Sequence, residues 1–81
     1  MPNTQKHIDA VCEQREVPSV KKGMACNVNG RQGKIVGGNS SANFNVKFDD
    51  NGDIRNCHPY WRMQIYTDTG LIYYDYEQGI I

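Results

Sequence analysis

Eighty-one residues are too few for two separate hydrophobic cores and lie near the lower limit for one, so the chain reads as a single domain. Nine lysines and arginines balance nine aspartates and glutamates, so the whole-chain charge lends a polyanion ligand little support. No apolar run can cross a bilayer as a helix, MPNTQKHIDAVCEQRE lacks the apolar core of a secretory signal, and three widely spaced cysteines, Cys12, Cys26 and Cys57, fit a reducing cytoplasm better than a disulfide framework.

Thr4 to Glu16 carries Ile8, Val11 and Cys12 at helical spacing, and Val17-Pro18 closes it, which predicts a short helix. A helix of this length is marginal alone, so its apolar stripe must pack against the body or a second chain. After the linker VPSVKKG the period changes to two. Met24, Cys26 and Val28 share one strand face, NGRQG turns, and KIVGG follows. The loop NSSAN leads into FNVKF, the clearest strand, with Phe44, Val46 and Phe48 on one side. DDNGD turns into IRNC, HPYW interrupts, RMQIYT resumes, DTG turns, and LIYYDY is the last strand. DDNGD starts like a calcium loop, but Ile54 stands where that pattern requires glycine, so a hairpin turn is expected. The expectation is a mostly β fold: residues 1–19 form an N-terminal helix and linker, and residues 20–81 a small antiparallel barrel of five or six strands, closure hiding the sheet edges.

KKGMACNVNGRQGKIVGG followed by FNVKF resembles the opening strands of SH3-like barrels of the KOW type, with a glycine leading into a strand, a glycine turn and then Gly-x-Ile-Val. The resemblance covers about a third of the chain. It implies an accessory protein of the sort found in bacterial or phage genomes, binding RNA, DNA or protein through loops and an open face. GM, QGKIVG, HP and QIY also resemble, in order, fragments of the type II dihydrofolate reductases, SH3-like barrels that work as tetramers around a pore. That likeness nominates Gln64, Ile65 and Tyr66 for folate and a nicotinamide cofactor. The turn after the first strand is shorter here, and Arg31 or Lys34 would have to replace the pore lysine.

NCHPYW is the stretch richest in reactive and aromatic groups. On an extended chain Cys57 and His58 point to opposite faces, so they do not make a nucleophile and its base. A metal-stabilised structural domain would have to draw ligands from Cys12, Cys26, Cys57, His58 and His7, with no zinc spacing among them. The alternative is a corner: Pro59 ends a strand, HPYW makes one helical turn, Trp61 covers an end of the core, and His58 and Tyr60 lie nearer the surface. These rings, with Tyr66, Tyr73, Tyr74 and Tyr76, either fill a small core or frame a groove for a peptide or stacked bases.

Residues 1–47 hold seven basic and three acidic side chains and residues 48–81 two and six, so the halves are +4 and −4. Lys21, Lys22, Arg31, Lys34 and Lys47 would share one side of a barrel and suit a phosphate backbone. The expectation is a small non-catalytic cytoplasmic binding module without metal or cofactor, its partner nucleic acid or a protein. Lys22, Arg31, Lys34, Lys47, Tyr60 and Tyr66 would bind that partner beside an aromatic corner of His58 and Trp61. The opposed halves and the apolar ending LIYYDY and GII predict self-association.

Overall fold

The computed structural model describes residues 4–76. The helix α1 (Thr4–Arg15) precedes six strands: β1 (Ala25–Val28), β2 (Arg31–Gly38), β3 (Phe44–Phe48), β4 (Ile54–Cys57), β5 (Met63–Tyr66) and β6 (Ile72–Asp75). They form one antiparallel sheet in the order β4-β3-β2-β1-β5-β6.

This corrects the expected fold class. The sheet is open, the fold is mixed α/β, and among the described residues no closed SH3-like barrel forms from residue 20 onward. Closure would require β4 to pair with β6. Both are only four residues long, β6 pairs with β5 alone, and Arg55 on β4 places charge at the edge. The inner face is covered by α1 instead, which inserts Ile8, Val11 and Cys12 into the core. Both resemblances, to KOW-type barrels and to type II dihydrofolate reductases, presuppose a closed barrel and are set aside with it.

The local reading of the elements is explained by their termini and turns. At the end of α1, Val17 N–H donates to the Cys12 carbonyl (3.0 Å) and Glu16 N–H to Glu13 (3.4 Å), with Glu16 left-handed at φ 56°; this is a Schellman stop closed by buried Cys12 and Val17. Asn29 and Gly30, at φ 53° and 87°, make the two-residue turn that joins β1 to β2. The strand therefore resumes at Arg31, earlier than the glycine pattern suggests. Register shifts between Ile35 and Gly37, and Gly38 then passes beneath α1.

One face of the sheet holds Cys26, Val28, Ile35, Phe44, Val46, Phe48, Met63, Ile65 and Tyr74, all buried with the helix stripe and Val20. Gln5 and Arg15 hold α1 in place from its two ends. The Gln5 amide donates to the Val20 carbonyl (2.7 Å) and accepts from Lys22 N–H (2.8 Å). The Arg15 guanidinium donates to the Ala42 and Ser41 carbonyls (2.9 and 3.0 Å). All three cysteines are free and buried, and burial pushes the Cys26 thiol up to about 12 and raises those of Cys12 and Cys57. They pack as small apolar groups that stay protonated at neutral pH.

Candidate binding groove

Strand parity decides what lines the mouth of the inner face. Val28 pairs with Arg31, Gly33 with Phe48, Val46 with Arg55 and Phe44 with Cys57, so Arg31 and Arg55 share the face of the core residues at its open rim. Between them lies a groove of about 310 Å³ floored by Val28, Phe48 and Cys57, with Asn29, Asn56 and Trp61 completing its walls.

The turn between β3 and β4 sets the electrostatics. Gly52, at φ 73°, donates to the Phe48 carbonyl (2.8 Å), and the Asn51 side chain accepts from Asp53 N–H (3.0 Å). This tight DDNGD turn puts two carboxylates beside two guanidiniums. Arg31 lies 4.0 Å from the Phe48 ring centroid and donates twice to Asp50 (2.9 and 3.2 Å). That hydrogen bonding lowers the Asp50 carboxyl and raises the Arg31 guanidinium. Arg55 donates to Asp53 at 3.3 Å. Both pairs stand in solvent, where water screens the attraction and the pairs hold only weakly. A stronger anion can displace either carboxylate at little cost.

Trp61 is held over the mouth by the corner 58–62. Its backbone N–H donates to the His58 carbonyl (3.0 Å), Tyr60 N–H donates to His58 Nδ1 (3.0 Å), and Asn29 N–H donates to the Arg62 carbonyl (3.0 Å). Beneath, Pro59 is fully buried, and the Tyr74 hydroxyl donates to its carbonyl (3.0 Å). The Tyr60 hydroxyl donates to the Arg15 carbonyl and so ties the corner to α1. Trp61 is 54% exposed rather than covering the core; Tyr74, 1% exposed, occupies the interior.

The corner has a pH signature. His58 Nδ1 can accept only when unprotonated, and burial, with Arg15 nearby, lowers the imidazole below its ordinary 6.5. The folded state therefore binds fewer protons than the unfolded chain near that pH, and stability falls as pH drops through 6.5. Between pH 7.5 and 5 the melting temperature of the wild type is expected to fall further than that of His58→Gln; parallel thermal melts check this. Asp50, whose carboxyl is lowered, contributes stability that is lost only below about pH 4, outside this window.

The basic residues expected on one side are divided. Lys34 and Lys47 are cross-strand partners on the outer face, opposite to Arg31. Lys22 lies at a separate cleft of about 500 Å³ with Lys21, Met24, Asp68 and Tyr73. Tyr66 is on the outer face, its hydroxyl donating to Gln64 (3.1 Å), while Gln64 donates to Asp75 (3.3 Å) and Ile65 is fully buried. Gln64 and Tyr66 thus face away from Ile65. Arg31 and Trp61 are brought together; Tyr60 and His58 support them from behind, their rings 5.1 Å apart. Arg55, Asn29 and Phe48 complete the site without any motif to announce them, although Arg55 sits two residues before buried Cys57 and so shares its face.

Among the described residues no three His, Cys, Asp or Glu side chains converge to hold a metal ion, and no helix is long and apolar enough to cross a membrane. The apolar ending GII lies outside the described residues. No family model, curated protein or solved structure matches the chain.

Proposed function

We propose that this protein is a non-catalytic binding module that takes single-stranded nucleic acid in the groove beneath Trp61. The observation that carries this reading is the sole tryptophan of the chain standing half in solvent beside two guanidiniums whose carboxylate partners are exchangeable. An exposed indole offers a base a stacking surface worth about 1–3 kcal/mol, and Arg31 and Arg55 offer its flanking phosphates charge-assisted hydrogen bonds. Duplex is disfavoured because its bases are already stacked and their faces covered. Three buried free thiols support a cytoplasmic location.

Fluorescence anisotropy with single- and double-stranded oligonucleotides at two salt concentrations tests the reading. Trp61→Ala is expected to weaken single-strand binding by about 1–3 kcal/mol with the salt slope unchanged. Arg31→Gln with Arg55→Gln is expected to flatten the slope by about 0.7 for each phosphate that is no longer neutralised. Absence of binding at low salt to any oligonucleotide would refute it and leave a protein as the partner.

Self-association is a second property that the surface supports. Ile54, Leu71 and Ile72 are 60%, 68% and 51% exposed, and Ile54 and Ile72 lie on opposite edge strands of the sheet. Sedimentation is expected to give a mass above 9.2 kDa that persists at high salt; a monomer at every salt concentration and protein concentration would count against it.

A further inference from the structure

We infer that Lys34 and Lys47 form a second phosphate-binding point on the outer face of the sheet, reached by a strand that leaves the groove over the β4 edge. The inference rests on the nucleic-acid reading of the groove and names where the rest of the ligand runs. Lys34 and Lys47 stand directly opposite each other on neighbouring strands. Like charges so placed repel, since side chains in this relation have their Cβ atoms only about 4.5–5.5 Å apart. Along the same row the flanking residues are Ala25 on one side and Ile54 on the other, so neither neighbour neutralises the pair.

Two of the three nearby carboxylates are directed elsewhere, and the third, the exposed Asp49 two residues after Lys47, forms no ion pair with either lysine. Asp50 and Asp53 follow β3 in the adjoining turn, yet they are engaged by Arg31 and Arg55 on the inner side. Among the described residues neither lysine's ammonium has a hydrogen-bond or ion-pair partner, and both residues are exposed. The sheet therefore carries two kinds of cation: guanidiniums ion-paired to carboxylates at the groove, and ammoniums without an ion pair on the reverse face. A polyanion reaching the pair would remove the repulsion without displacing an ion-paired carboxylate.

The path between the two places is short in the fold. Arg55 faces the groove and the next residue back along β4, Ile54, faces outward beside Lys47. β4 is an edge strand, so a chain can turn around it without crossing other structure. Ile54, 60% exposed, gives that turn an apolar surface against which a base can rest. A phosphodiester backbone, with charge at every step, is the ligand chemistry that can satisfy Arg31 and Arg55 on one face and the lysines on the other.

The test compares oligonucleotides of about 4 and about 12 nucleotides, the first filling the groove alone and the second long enough to turn the edge. Wild type, Trp61→Ala and a Lys34→Gln, Lys47→Gln double variant are titrated at two salt concentrations. For the double variant we expect unchanged binding of the short strand, weaker binding of the long strand, and a salt slope for the long strand flattened by about 0.7 per phosphate left unneutralised. Its melting temperature should be at least that of the wild type, since a repulsive pair has been removed. If the long strand binds with full dependence on Trp61 but with the same affinity and slope in the double variant, the inference is overturned and the groove reading stands. If neither strand binds the wild type, both fall together. If the short strand is weakened as much as the long one, the lysines act on the groove itself and the proposed path is wrong.

Discussion

Phe44→Ala is expected to cost about 3–5 kcal/mol of folding stability, the range for deleting a large aromatic from a packed interior. Phe44 is fully buried on β3, where its cross-strand partners are Gly38 on β2 and Cys57 on β4. Neither partner has a side chain long enough to move into the vacated space. The cavity would open at the point where α1 crosses the sheet, so sheet packing and helix docking would weaken together. A domain of this size has a total stability of about 4–12 kcal/mol, so the variant is expected to unfold substantially at physiological temperature. Urea denaturation should show a lower midpoint with a nearly unchanged slope; a destabilisation below about 1 kcal/mol would show that β3 is not packed as described.

Gly38→Ala is expected to destabilise the fold by the opposite route. A Cβ at this position would lie 2.5 Å from the His7 carbonyl oxygen, 2.8 Å from its carbon and 2.9 Å from Val11 Cγ2. Two of these atoms belong to helix backbone and cannot rotate aside, so α1 must lift from the sheet. Overpacking of this kind costs about 1–3 kcal/mol and occasionally more. Gly37→Ala is the control, since its nearest neighbour is the end of the Asn45 side chain at 3.3 Å. Hydrogen exchange should find faster exchange across α1 in Gly38→Ala and little change in Gly37→Ala. Equal protection of α1 in both would mean that the helix does not rest on Gly38.

The same packing shows which features are legible in the sequence. FNVKF can be read as β3 because its two-residue alternation survives intact in the fold, with Phe44, Val46 and Phe48 all buried. The stripe of Ile8, Val11 and Cys12 points to a docked helix for the same reason: the local period is set by the face that must be buried. Closure is not legible, since whether β6 meets β4 depends on the twist accumulated over five successive pairings and on α1 covering the inner face. The division of the basic residues is hidden in a list of charges, although parity contains it: Arg31 and Lys34 are three apart on β2, an odd step, and must face opposite ways. Trp61 illustrates a different limit. A large ring in an apolar setting belongs inside by composition, but Tyr74 lies on the last strand where its hydroxyl finds the Pro59 carbonyl, and that pairing leaves the indole at the rim. Arg55 escapes notice because IRNC has no alternation strong enough to assign its inner face.

The groove's occupation can be observed through its own wall. Trp61 is the only tryptophan, half exposed, and borders the space between Arg31 and Arg55, so its fluorescence reports on that place alone. Titration of the wild type with a single-stranded oligonucleotide at low salt, following tryptophan emission, is predicted to give saturable quenching as a base stacks on the indole. The quenching should weaken steeply with added salt and shift to much higher ligand concentration in Arg31→Gln with Arg55→Gln. Tryptophan emission that stays constant up to saturating oligonucleotide, or quenching indifferent to both salt and the two arginines, would contradict the assignment of the groove.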